Sequence, residues 1–199
     1  MGLGELAAFL GVSLIVIVTP GQDTALTIRN TLLGGRRGGV LTALGVASGQ
    51  LTWALASSAG LAAVLLASRP VFTAIRLAGA AYLVLLGAQA LVAAIRGRGH
   101  AQPRRRAGAA YRQGILSNLG NPKMVVFFTS LLPQFGSSFD AMLALGVLFA
   151  SLTLAWLSLY ALAVARAAAF LSRSRVRRAL DAVTGCALAA LGLRLAAER

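Results

Sequence analysis

Long apolar stretches alternate with short basic or polar ones along the chain, and this alternation predicts six helices. The first apolar segment runs from about Glu5 to Thr31 and is interrupted at Pro20-Gly21. A second covers about 40–67, and a third, after the tight Arg69-Pro70 connection, about 71–95. The fourth begins near Gln113 and ends at Leu132-Pro133, the fifth covers 141–165 and the shorter sixth 179–195. Residues 38–68, 77–95 and 141–165 carry no charged side chain. The first and last of these are long enough to cross about 30 Å of hydrocarbon as helix, and 77–95 lies at the lower end. A soluble core built from 199 residues has no room for three such segments. The pattern therefore reads as an all-α, polytopic integral membrane protein with six transmembrane helices. Residues 5–28 read as a retained first span, since neither a basic leader nor an Ala-x-Ala-like cleavage site accompanies them.

Polar and small residues refine this outline. Gly34-Gly35-Arg36-Arg37-Gly38-Gly39 lacks the spacing and lysine of a phosphate-binding loop and reads as a glycine-rich basic turn. Gly45 and Gly49 give the second span a small-xxx-small face for close helix contact. Gln50, next to them, is expected to face the bundle interior, and Trp53 to face either lipid or a pocket. In the third span, Gly79 and Gly87 offer a packing face, Tyr82 reads as a packed aromatic, and Arg76 lies close enough to the helix end to snorkel outward.

Composition supports the membrane reading, with 58% hydrophobic residues and a mean hydropathy of +0.78. The formal charge of +14, taken alone, would point to nucleic acid. Its distribution points elsewhere. Arg29, Arg36 and Arg37 fall in one connection, six arginines in 96–112, and five in 166–178. Together these hold 14 of the 19 basic residues and no acidic ones, the asymmetry expected of cytoplasmic loops facing anionic lipid headgroups. Both termini are then external. With one histidine, His100, and one cysteine, Cys186, the chain has neither a disulfide framework nor a metal-ligand cluster, and no cofactor is expected. Cys186, among small apolar residues, is expected to be packed.

Two of the six predicted spans are broken by proline. Thr19-Pro20-Gly21 interrupts the first, and Asn121-Pro122-Lys123 interrupts the fourth. Proline in a helix removes a hydrogen bond and clashes with the preceding turn. In hydrocarbon that is tolerable only where protein or a water-filled cavity receives the freed backbone groups. Three spans, a cytoplasmic loop at 96–112 and three further spans divide the single transporter domain into halves of about 1–95 and 113–199. An odd number of spans per half forces an inverted repeat, with corresponding breaks marking a midplane site. Asp23, Gln22, Gln50, Asn118, Asn121 and Lys123 are the candidates for substrate binding or coupling, and Pro20, Gly21 and Pro122 make the breaks. Asp23 and Lys123 offer opposite charges to a zwitterion. The same residues also fit a simpler reading in which Asp23 caps a kinked helix, the two charges neutralise each other, Lys123 snorkels and the asparagines satisfy backbone around Pro122.

As an ordered set, Thr19-Pro20-Gly21, Gly34 to Gly39, Gly45 with Gly49, Gly79-Ala80-Ala81-Tyr82-Leu83, Asn121-Pro122-Lys123 and Leu132-Pro133-Gln134-Phe135 resemble the LysE/RhtB superfamily of amino-acid exporters. The resemblance spans almost the whole chain. It implies a secondary exporter in the bacterial cytoplasmic (inner) membrane, driven by the proton motive force, with amino acids or close derivatives as substrates. The family's first motif usually reads Pro-Gly-Pro, whereas this chain has Gln22 at the third position. A single Asp23 near midplane favours a neutral over a basic amino acid. The partners implied are the substrate, protons and membrane lipid, not nucleic acid, and the glycine faces suit contacts within one chain or between copies in a homo-oligomer.

An enzyme would need a nucleophile, base or metal set, and the only histidine lies in the arginine-rich loop. The competing class is a non-transporting membrane scaffold or receptor, which needs no paired breaks at midplane.

Overall fold

The computed structural model describes residues 2–60, 77, 81, 84–85, 88, 91–92, 95, 107–171, 182–190 and 193–194. The expectations for Arg69-Pro70, Arg76, Gly79, Tyr82, Gly87, His100 and the arginine-rich loop up to residue 106 lie outside these residues, as does most of the third span. The described residues are helical, with no strand among them.

Helix α1, Leu3–Val18, ends where Pro20 offers Val16 O no N–H and pushes Thr19 to extended backbone (φ −60°, ψ 114°). Helix α2, Gln22–Ser58, starts after the extended Gly21 and is itself broken at Gly35, whose φ of 64° and ψ of −166° suit only glycine. It therefore consists of two arms, 22–34 and 36–58. Asn30 hydrogen-bonds Thr42 across the break, so the arms fold back on each other. The basic turn expected at 34–39 is in fact a one-residue break, and the helix resumes at Arg36. Arg29, placed by its charge in that connection, is instead inside the first arm and 4% exposed. Arg36 and Arg37 are exposed.

The second arm closes at Ser58, earlier than the expected end at 67, because Ala59 and the positive-φ Gly60 form its C-terminal turn. Helix α3, Ala107–Leu119, starts inside the stretch expected to be loop, so 107–112 is helical rather than connecting. After the break at Gly120-Asn121 comes α4, Pro122–Val126. The helix then widens into a π turn at Phe127–Leu131 and tightens to a 3₁₀ turn at Leu132–Gln134, which contains Pro133. Such widening leaves carbonyls poorly paired, and Ser57 Oγ donates to Phe128 O at 2.7 Å. Helix α5, Phe139–Leu171, is the long helix that packs on α2. Residues 182–190 form a further helical stretch, on which Cys186 is exposed and not packed as expected.

The register of the two broken segments determines where the site lies. Phe9 meets Phe127 and Phe135, Val16 O meets Lys123, Asp23 meets Ser117 and Asn118, and Asn30 meets Gln113. Partner numbers fall as the chain number rises, so 3–34 runs antiparallel to 107–135, with break against break. The 36–58 arm runs parallel to the second segment: Gly45 lies against Tyr111 and Gly114, Gly49 against Asn118, and Ser57 against Phe128. A Cβ at Gly45 would collide with Tyr111 O, so this contact requires glycine.

The two sides of the breaks are packed differently. Towards the N-terminus of α1, Phe9, Phe127, Phe128 and Phe149 are buried together, with Phe127 and Phe149 stacked at 4.0 Å between centroids. Such pairs contribute about 1 kcal/mol each beyond burial. Towards Gly35 polar residues join buried apolar ones such as Leu26, Ala43 and Val46. Asn30 Nδ2 donates to Thr42 Oγ1 and Gln113 Oε1, and Tyr111 Oη donates to Ser48 Oγ.

Candidate functional site

Each break leaves a backbone carbonyl unpaired, and a side chain from the other break satisfies it. Pro20 cannot donate to Val16 O; Lys123 Nζ does so at 3.0 Å, and also donates to Thr19 O at 3.0 Å. At the second break, Gly120 N turns to Leu116 O and Asn121 N to Asn118 O, leaving Ser117 O without a helical partner. Gln22 Nε2 donates to it. Thus Gln22, where the resemblance would place a second proline, ties the start of α2 to the end of α3.

Asp23 sits in the first turn of α2, where the helix dipole favours negative charge. Asp23 is 9% exposed, and its carboxylate is held entirely from the other broken segment. Oδ1 accepts from Ser117 Oγ at 2.8 Å, and Oδ2 accepts from Asn118 Nδ2 at 2.9 Å and Asn121 Nδ2 at 3.0 Å. Asn121 does double duty, since its Oδ1 accepts from Lys123 N at 3.1 Å and caps α4. No hydrogen bond joins Asp23 to Lys123; the carboxylate bonds side chains and the ammonium bonds carbonyls.

Asp23 and Lys123 nevertheless line one cavity of about 20 Å³. Gly21, Thr24 and Gln50 complete its polar end, and Val16, Ile17, Met124, Phe149, Thr153 and Leu157 form the rest. This volume admits a water molecule and nothing as large as an amino acid. Gln50 is 1% exposed, facing the interior as its sequence setting predicts, and Trp53 is buried in the core.

Every predicted site residue is at this junction. Gln22, Asp23, Asn118, Asn121 and Lys123 make the reciprocal contacts, Pro20, Gly21 and Pro122 shape the breaks, and Gln50 forms the opposite wall. Sequence reasoning missed Ser117, Thr24 and Thr153, and also the polar layer of Arg29, Asn30, Thr42 and Gln113. Ser117 was signalled by its place one turn before Asn121, and the polar layer by Thr27, Asn30 and Thr31 sharing a helix face. Thr153 gave no signal: its hydroxyl donates to Phe149 O in its own helix, which is silent in sequence.

Helices long and apolar enough to cross a membrane, Gln22–Ser58 with its break and Phe139–Ala167, enclose this junction of polar helix breaks, the build of a membrane transport protein. The chain belongs to the LysE type translocator family, whose profile matches residues 14–199. It is 28% identical over 204 residues to the membrane protein YrhP of Bacillus subtilis, covering 96% of this chain and 97% of that one. It is 30% identical over 125 residues to the leucine efflux protein of Salmonella typhimurium, covering 62% of this chain and 59% of the relative. The leucine efflux protein of Salmonella typhi matches over the same shares. No solved structure matches the chain.

Proposed function

We propose that this protein is a secondary exporter of amino acids or close derivatives across the bacterial cytoplasmic membrane, coupled to protons and working by alternating access. The observation that carries the reading is the reciprocal junction of the two breaks around Asp23 and Lys123, a polar and charged meeting point inside apolar helices. Ionisable groups at such depth are costly and are kept where ions or substrates pass. Family membership and the leucine efflux relatives supply the substrate class.

The proposed architecture is six spans in an inverted repeat. The antiparallel register of the broken segments supports it, as does the link from Gln50 to Thr153 at 3.2 Å. Those two residues lie 30 and 31 positions beyond Pro20 and Pro122. With the basic segments cytoplasmic, the polar layer faces the cytoplasm and the aromatic cluster faces outward. Substrate then enters when the polar layer parts and leaves when the aromatic cluster parts. The small cavity is widened in either step, and both steps strain the contacts of Asp23. A proton on Asp23 removes the charge that holds Ser117, Asn118 and Asn121, which ties opening to protonation.

Purified protein in sealed vesicles tests this. Labelled leucine and other neutral amino acids are expected to accumulate against their gradient when a proton gradient is imposed, and to stop when a protonophore collapses it. Absence of flux for every amino acid in the panel would favour the scaffold reading. For orientation, cysteine placed at Ser137 in a Cys186→Ser background is expected to react with an impermeant thiol reagent in intact cells, and one at Gly99 to resist it. The reverse pattern would invert the topology.

A further inference from the structure

Among the described residues that line the cavity, one buried side-chain atom, Gln50 Oε1, lacks a hydrogen-bond partner. The hydrogen bonds present set which end of this amide is free. Thr153 Oγ1 donates its proton to Phe149 O and, so engaged, accepts from Gln50. Gln50 Nε2 donates to it at 3.2 Å and approaches Met124 Sδ, another acceptor, at 3.5 Å. Turning the amide over would set oxygen against two acceptors. The carbonyl oxygen of this cavity-lining residue is thus held unpaired and desolvated.

Asp23, the carboxylate at the cavity wall, is already occupied by three donors from the opposite segment. A substrate amine would have to displace some of them. Gln50 Oε1 requires no such displacement.

We propose that Gln50 is the residue that reads the substrate's amino group, with Oε1 accepting an ammonium N–H and Thr153 positioning the amide. The inference rests on the reading of the chain as an amino-acid exporter and deepens it. Met124, Phe149 and Leu157 on the same cavity make the wall for an aliphatic side chain. Lys123, with two of its three protons given to Val16 O and Thr19 O, has one left for the substrate carboxylate. The substrate class is therefore a zwitterionic α-amino acid with an apolar side chain, selected by its N–H donors as much as by its charge. Asp23 is left to hold the halves together and to take the proton.

The test uses initial rates of labelled leucine counterflow in vesicles, with unlabelled leucine or 4-methylpentanoate as competitor at pH 7.5. The two competitors share the carboxylate and the branched chain, and the second lacks the amine. A site built to bond an N–H rejects the ligand lacking it, and on the worth of one hydrogen bond to a charged donor the wild-type protein is expected to prefer leucine by about 100-fold. Gln50→Leu, which keeps the volume, is expected to narrow that preference below about 5-fold, chiefly by weakening leucine. Thr153→Val keeps the shape, frees the amide to rotate and is expected to give an intermediate preference. Its result decides the matter if Gln50→Leu is not recovered folded. A preference unchanged in either folded variant overturns the assignment of Gln50. Absence of amino-acid counterflow in the wild-type protein is a different result, and would overturn the exporter reading itself.

Discussion

The two proline breaks look equivalent in sequence but are built differently. At the second, Asn121 caps α4 with its own side chain, Pro122 occupies the first helical position, and Asn121 N and Met124 N keep backbone partners. Proline is well suited there, because its missing N–H would have no helical partner anyway. At the first, Gly21 starts α2 with no side-chain cap, and Pro20 lies before it. The carbonyl freed by Pro20 and the carboxylate of Asp23 are both satisfied by the opposite segment. The second break caps itself and borrows only Gln22, for Ser117 O, whereas the first borrows Lys123 and all three donors to Asp23. On the proposed transport cycle, the first break is thus the part of the site with the most contacts to lose.

Removing the carboxylate is the largest way to break this relation. Asp23→Ala leaves the Ser117, Asn118 and Asn121 donors buried without an acceptor, at about 1–3 kcal/mol for each unsatisfied group. A large fall in thermal stability in detergent is expected; wild-type stability would mean that the opposite segment does not depend on Asp23.

The prolines sharpen the comparison next. Pro20→Ala restores an N–H that competes with Lys123 for Val16 O and heals the first break. Flux is expected to fall at least about tenfold with the protein still folded, since removing an internal proline does not disfavour helix. Pro122→Ala retains the Asn121 cap and is expected to lower flux less than about threefold. Equal losses in vesicle flux would show that the breaks are not different in kind.

Asn121→Ala deletes a cap, at about 1 kcal/mol, together with one bond to Asp23. Its stability loss, read by thermal unfolding, is expected to exceed that of a cap alone. The smallest effect is expected for Gln22→Pro. It loses the bond to Ser117 O but places proline at the first position of α2, where proline is favoured. A change in stability within about 1 kcal/mol is expected, because these contributions offset each other.

Much of this architecture was legible because it rests on local chemistry. Pro20 and Pro122 cannot donate to the turn before them, so a break is expected at each, and Gly45 and Gly49 announce close packing by lacking side chains. Gln50, a polar residue in an uncharged span, had to face inward. What escaped depends on partners distant in sequence. The pairing of Gln22 with Ser117 O, and of Lys123 with Val16 O, follows from the antiparallel register, which no local pattern encodes. Arg29 was misplaced because charge was read as a marker of loops, whereas its polar neighbours Asn30 and Thr31 mark a buried polar face. The end of α2 at Ser58 escaped because Ala59-Gly60 continues the apolar pattern while turning the backbone.

Asp23→Asn tests the central claim most directly. Asn keeps the shape, and its oxygen can accept from Asn118 and Asn121 while its amide donates to Ser117 Oγ, whose hydroxyl turns to accept. The junction survives but can no longer titrate. In sealed vesicles this variant is expected to retain leucine counterflow with no gradient applied and to lose accumulation driven by an imposed proton gradient. Accumulation at the wild-type level would contradict the account, leaving Asp23 as a structural tie between two broken helices.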